Sequence, residues 1–267
     1  SPTQDASVFV VTVVAGAYVS EALTTRRWIV SASTSVILAL TAVTLRSTMA
    51  IFALAVTTVV MVIVYRRRGR EGDDSGIRTP VLLTLGLAAV TVALVTARDY
   101  RLSGWLQYPL SLVAFDVPWR AADPTGARLA TLGAARDPEN LWVAAESWSW
   151  IGAWWNRALS AWELYAALIL VLATLMTSWI LRPPPLVLLA VTPSLAATVF
   201  WFLVTPPSFR FIWGPLFSIS TIVLGWCVWK ASERGSRLAP NSETGFAGLV
   251  LLTVLITAAF RLDFSAQ

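Results

Sequence analysis

Apolar stretches long enough to cross a bilayer recur along this chain, and they leave it few folds to choose from. Eight can be read, at roughly Ala6–Leu23, Trp28–Leu45, Thr48–Tyr65, Pro80–Ala97, Ser160–Leu181, Leu186–Val204, Phe211–Trp229 and Thr244–Leu262. Each has 18 residues or more, enough as a helix to cross about 30 Å of hydrocarbon. A helix also satisfies its own backbone there. The chain is 57% hydrophobic and 13% charged, about half the charged fraction of a soluble domain, and its mean hydropathy is +0.69. The expected fold is an all-α polytopic transmembrane bundle of about eight spans. It divides into a four-span membrane bundle at 1–97, a long extracytoplasmic loop at 98–159 and a second four-span bundle at 160–267. Pro193 interrupts the sixth span, and Pro215 lies in the first turns of the seventh, where proline is tolerated best. Only Arg46 and Ser47 join the second and third spans, which predicts a tight hairpin or a bent pair.

Arginine placement sets the expected orientation. One set of connections holds eleven positive residues: Arg26, Arg27, Arg66, Arg67, Arg68, Arg70, Arg78, Arg182, Lys230, Arg234 and Arg237. The opposite short connections hold Arg46 and Arg210, with Arg261 near the end of the last span. The RRRGR cluster at 66–70 therefore marks the cytoplasmic face of an inner membrane. The chain start, the 98–159 loop and the 205–210 turn are expected outside. No basic n-region precedes an apolar core at the N-terminus, so the chain is expected either to be processed or to be the later part of a longer one.

Several chemistries are excluded. With one cysteine and no histidine, there is no intrachain disulfide, no zinc site built on His or Cys, and no hydrolytic triad with a histidine base. Cys227 sits in an apolar run and reads as a small buried hydrophobe. The arginines form no basic stripe, so the net charge of +5 does not point to nucleic acid. Membrane lipids, through anionic headgroups, are the partner it suits. Few acids lie inside the spans, which argues against a proton- or cation-coupled transporter. Glu21 and Glu163 are near span ends, and only Glu163 keeps a minor claim on an outer cavity.

The loop carries the candidate site. Residues 103–120, SGWLQYPLSLVAFDVPWR, hold one acid, Asp116, and one base, Arg120, among aromatic residues and prolines. Partial burial there should raise the pKa of an unpaired Asp116 carboxyl. The structural alternative is a salt bridge from Asp116 to Arg120 or Arg101. Asp123-Pro124 and Asp137-Pro138 mark turns or helix starts. Between Trp142 and Trp162 lie six of the fourteen tryptophans. Helical spacing puts Leu141, Trp148 and Trp155 on one face with Ile151 and Gly152, predicting an interfacial helix over 141–159. Its indoles serve as membrane anchors or as a platform for sugar rings or a lipid carrier. In TPPSFRFIWGP, Arg210 lies between Phe209 and Phe211. It reads either as a clamp on a phosphate-linked lipid donor or as a side chain snorkelling to headgroups. Pairing of Arg210 with Asp116 is a third possibility.

These motifs resemble the C-terminal half of a bacterial family of large polytopic envelope proteins, similar in architecture to GT-C type glycosyltransferases. That family shows Gly-x-x-x-Tyr-Pro, then Asp-x-x-Trp, a Trp-rich segment and a Pro-Asp-x-Arg-Phe turn. The matching residues are Gly104, Tyr108 and Pro109; Asp116 and Trp119; and Pro207, Arg210 and Phe211. The resemblance implies transfer of a sugar from a polyprenyl-phosphate donor to an envelope glycan or lipid. Asp116 would position or activate an acceptor hydroxyl, Arg120 and Arg210 would contact phosphate, and Tyr108, Trp119, Trp148 and Trp155 would hold sugar or lipid. Ser208 stands where the family often has an acid. The principal catalytic acid of GT-C enzymes lies in a first outer loop that nothing before Ala6 supplies. The resemblance therefore implies a fragment, a split subunit or a non-enzymatic relative. A non-catalytic scaffold docking other membrane subunits through the Trp-rich loop, and a lipid-linked glycan polymerase or transporter, are the alternatives. A divalent metal would need a carboxylate cluster that the sequence does not display, so no cofactor is evident.

Overall fold

Long apolar segments rich in Ala, Leu and Val take the one local conformation that pairs their own backbone, and helices fill most of this chain. The computed structural model describes residues 2–24, 28–71, 75–108, 112–160, 162–205, 208 and 211–233. The elements are α1 (Pro2–Thr24), α2 (Trp28–Leu45), a 3-10 turn (Ser47–Met49), α3 (Ala50–Glu71) and α4 (Ser75–Ser103). There follow β1 (Trp105–Gln107), β2 (Leu112–Ala114), α5 (Pro124–Arg136), α6 (Leu141–Glu146) and α7 (Trp150–Ser160). The chain continues with α8 (Trp162–Leu181), α9 (Pro185–Leu203) and α10 (Trp213–Glu233).

Helices α1–α4 and α8–α10 coincide with the first seven expected spans, and Thr244–Leu262 lies outside the described residues. Among the described residues, five helical stretches are long and apolar enough to cross a membrane: Ser7–Thr24, Trp28–Leu45, Ser47–Arg66, Val81–Ser103 and Pro185–Leu203. The apolar parts of α8 and α10, Leu168–Ile180 and Trp213–Cys227, are shorter. Helix content and helix hydropathy together mark a membrane-associated protein.

Small residues let the helices approach closely, as in other membrane bundles. α1 packs on α2, α9 and α10, and α3 packs on α9. Ala15, Ala22, Ala39 and Ala42 are fully buried along these seams. At the α1–α10 crossing a side chain at Gly16 would run into Ser218, and one at Gly214 would crowd Thr12. Cys227 is buried in this core, as its apolar run predicts. Pro193 is accommodated inside α9 and is buried there. By contrast, the apolar residues of α4 are largely exposed, Leu82, Leu83, Val90, Val92 and Leu94 among them. On α8, Leu172, Leu175, Met176 and Trp179 are likewise exposed. Apolar faces of this extent need lipid or protein against them.

Two departures from expectation bear on the site. Within the expected all-α fold, β1 and β2 add a short antiparallel ribbon to the loop, pairing Trp105 with Ala114 and Gln107 with Leu112. And α4 runs on past residue 98 to Ser103, so the loop begins at Gly104 instead of 98. Gly104 supplies the stop, since at φ +72° it takes the left-handed conformation that ends helices.

Candidate functional site

The ribbon folds back onto the end of α4. Gly104 N–H donates to Tyr100 O (2.8 Å), Phe115 N–H to Gly104 O (3.0 Å) and Ala121 N–H to Ser103 O (2.8 Å). The Trp105 indole N–H donates to Ala121 O at 2.9 Å. A Cβ on Gly104 would sit 2.8 Å from Val117 Cγ2 and 2.9 Å from Arg120 Cα, so both its φ and this crossing require glycine. The Tyr100 ring meets Phe115 edge-on (4.9 Å) and Trp119 (6.4 Å). Asp116, Trp119 and Arg120 thereby share one turn, closed by Arg120 N–H to Val117 O at 3.1 Å.

All three of those side chains are exposed, which corrects the expected partial burial of Asp116. The ribbon is too small to cover it. Among the described residues Asp116 forms no ion pair, with Arg120, Arg101 or any other base. Tyr108 is half-buried at the tip of the ribbon. Arg210, Pro207 and Pro109 lie outside the described residues, and with them any Arg210–Asp116 pair.

The buried charges of this region are ones the sequence reading passed over. Asp99, in the last turns of α4, is buried, and its Oδ1 accepts from Arg98 Nε (3.1 Å) and Nη2 (3.0 Å). Arg98 Nη1 also donates to Thr44 O (3.0 Å), fastening α4 to the end of α2. Arg136, at the end of α5, is 7% exposed. Its guanidinium donates to Ala144 O (3.2 Å), Ala145 O (3.0 Å) and Leu203 O (3.3 Å), and lies 4.9 Å from the Trp150 ring centre. The carbonyls belong to the last turns of α6 and α9, where helix dipoles favour a cation. Burial lowers the Arg136 pKa, but a guanidinium stays charged. Arg157 donates to the carbonyls of Ala135 and Arg136, tying α7 to the same knot.

Between these, α5 starts at Asp123, whose carboxylate caps Gly126 N–H (2.7 Å), with Pro124 in its first turn. Asp137 closes it: its carboxylate accepts from Asn140 Nδ2 (3.1 Å) and Glu139 N–H (3.1 Å). The Asn140 hydrogen bond is the main cause of its lowered pKa. Gly133 lies so close to the Leu141 carbonyl that no side chain fits there.

The tryptophan segment is two helices, not the single one expected over 141–159. It breaks at Ser147–Ser149, where the Ser147 hydroxyl bonds Val143 O and Ser149 Oγ, both at 2.7 Å. The common face of Leu141, Trp148 and Trp155 therefore does not exist. Trp150 and Trp154 are buried against Phe202, 5.4 and 5.3 Å away, and Trp154 also meets Trp201 (6.1 Å). Trp142, Trp148 and Trp155 point outward, each more than half exposed, with Trp148 stacked on Trp150 at 6.0 Å. No hydrogen bond, ion pair or ring contact among the described residues joins Asp116 or Arg120 to Trp148 or Trp155. Nor do any three His, Cys, Asp or Glu side chains among the described residues gather as metal ligands.

These contacts put three connections at one end of the bundle. Arg98 reaches the α2 end, Arg46 stacks over Phe211 at 3.8 Å, and Arg136 reaches the α9 end. Among the described residues, 45–49, 98–108, 112–160, 204, 205, 208, 211 and 212 thus form one polar and aromatic cap.

A family model described as a domain of unknown function, DUF8201, matches residues 1–217, from α1 through the cap to the first turns of α10. No curated protein and no solved structure matches the chain.

Proposed function

The chain belongs to the DUF8201 family, and we propose that it is a multi-pass inner-membrane protein of about eight spans acting on a lipid-linked glycan at its outer face. In this reading the 98–159 cap faces outward and the reaction is glycosyl transfer of the GT-C type. A sugar passes from a polyprenyl-phosphate carrier to a hydroxyl of an envelope glycan or lipid. Asp116 accepts the proton of that hydroxyl as the new glycosidic bond forms and the bond to phosphate breaks. Arg120 and Arg210 stabilise the departing phosphate. Tyr108, Trp119, Trp148 and Trp155 offer aromatic faces to sugar rings or to the carrier.

The observation that supports it is the exposed arrangement of the cap. One turn displays Asp116, Trp119 and Arg120, tryptophans at 142, 148 and 155 point outward, and Trp148 stacks on the buried Trp150. An exposed Trp119 ring in the same turn as a free carboxylate suits a ligand that is part sugar, part lipid. The test measures glycan product in membranes supplied with the polyprenyl-linked donor, for Asp116→Asn and for Arg120→Ala combined with Arg210→Ala. We expect at least a hundredfold loss for the first and about tenfold for the second. Unchanged product in both overturns the assignment.

A second reading draws on the exposure of Asp116, which no neighbouring charge or burial activates. There the cap is a scaffold surface that docks another membrane subunit through Trp142, Trp148 and Trp155. Photo-crosslinking from position 148 to a partner protein, with Asp116→Asn silent, selects it.

A further inference from the structure

Buried donors lack acceptors where α5, α6, α7 and the end of α9 meet in the cap. A guanidinium carries five N–H groups, and Arg136 gives its terminal nitrogens to three carbonyls, those of Ala144, Ala145 and Leu203. Its Nε–H is buried and finds no acceptor. The Trp150 ring lies 4.9 Å from that guanidinium, and the indole N–H, on a residue 1% exposed, is buried and unpaired as well. Arg157 donates through Nη2 to the carbonyls of Ala135 and Arg136, while its buried Nε–H is a third donor without an acceptor. Buried N–H groups are almost always paired. Three unpaired ones on residues linked by direct contacts ask for an acceptor that the chain itself does not provide.

Charge is unbalanced in the same place. Among the described residues neither Arg136 nor Arg157 forms an ion pair. The carboxylate that acts on Arg157 is Asp137, and its oxygens already accept from Asn140 Nδ2 and Glu139 N–H. Two guanidiniums against one carboxylate leave one net positive charge, two minus one, at a knot whose centre is the buried Arg136. A buried water pairs N–H groups but leaves such a charge uncompensated. An oxyanion answers both needs, and guanidinium N–H groups hold phosphate oxygens through short, charge-assisted bonds. Arg157 is half-buried, so the knot is approached from its side.

We propose that Arg136, Arg157 and Trp150 form a site for a phosphate group, with the Nε–H of each arginine and the indole N–H donating to its oxygens. No hydrogen bond or ion pair among the described residues joins this knot to Asp116 or Arg120, and the site does not depend on glycosyl transfer. The test is thermal unfolding of the full chain in neutral detergent, with inorganic phosphate titrated against sodium chloride of equal ionic strength. At a few times its half-saturating concentration, phosphate should raise the wild-type melting temperature by roughly 2–4 °C. Parallel titrations with polyprenyl phosphate and with phosphatidylglycerol, each against diacylglycerol, separate a free ion from a lipid carrier and from a membrane headgroup. Trp150→Phe keeps a ring beside Arg136 and removes the unpaired N–H. It should melt as the wild type does in chloride, yet need about tenfold more of the effective ligand for the same shift. Arg157→Gln should weaken the response by at least as much. Melting unchanged by all three ligands in the wild type overturns the proposal. So does an undiminished response in both variants.

Discussion

Val113 and Arg136 show how little a residue's name says about its work in this chain. Val113 occupies φ +44° in β2 while more than half exposed. A β-branched side chain is strained there, by about 1–3 kcal/mol, and gains little packing in return. Val113→Gly should therefore stabilise the cap, raising its resistance to limited proteolysis by several-fold, where most glycine substitutions in strands do the reverse. Arg136 is the opposite case. Its removal leaves the Ala144, Ala145 and Leu203 carbonyls without their donor, and hydrogen bonds to a charged group are worth about 1.5–3 kcal/mol each. Arg136→Ala should lower thermal stability in detergent by the equivalent of about 3 kcal/mol, whereas Arg120→Ala at an exposed position should change it by less than about 0.5 kcal/mol. Nothing in the sequence separates Arg136 from Arg120 or Arg128, because the distinction is made by the α6 and α9 carbonyls that converge on it in space. Asp116 was legible as an acid in a polar turn, but its exposure was not. Burial depends on how much chain folds over a residue, and only a three-residue ribbon does so here.

At the level of elements, the tryptophans divide by what they support. Trp150 is 1% exposed and packs on Trp154 and Phe202, holding α7 against the end of α9. Trp150→Ala should cost about 3–5 kcal/mol and open the 147–149 break to proteases. Trp148→Ala and Trp155→Ala, at exposed rings, should leave melting nearly unchanged, and their effect should appear in glycan product or partner crosslinking instead. A uniform loss of stability across all three would show that the outward rings are structural too. The seven long helices were readable because length and apolarity decide them. The α6–α7 break was not, since spacing arguments assume an unbroken helix. Ser147 and Ser149 offer the backbone local hydrogen bonds that compete with the helical ones, and the buried seat for Trp150 then fixes the new direction. The extension of α4 to Ser103 escaped for a related reason: the Arg98–Asp99 pair fastened to Thr44 makes a polar helix end tolerable.

Across the whole molecule, charge and contact patterns agree in a way neither supplies alone. The arginine count separates two sets of connections, and the contacts of Arg46, Arg98 and Arg136 independently gather the sparse set into one cap. The cap and the exposed Arg66 then lie toward opposite ends of α3, a helix that includes an apolar stretch long enough to span. This geometry makes orientation testable with a small set of variants. Cys227 is the one cysteine in the chain and is buried in the core, so Cys227→Ala gives a thiol-free background at the cost of a minor cavity. Into it go single cysteines at Ala121, beside the exposed Arg120, and at Tyr65, exposed next to Arg66 on α3. With intact cells and a membrane-impermeant maleimide, Ala121→Cys should react and Tyr65→Cys should react only after lysis. Because the cap and Tyr65 lie toward opposite ends of α3, the two readouts must be opposite to each other whichever way the protein sits. Labelling of both from outside would break the membrane-spanning reading itself, and the inverted pattern would move the cap, with Asp116 and its tryptophans, to the cytoplasm and remove the outer-face glycan as its ligand.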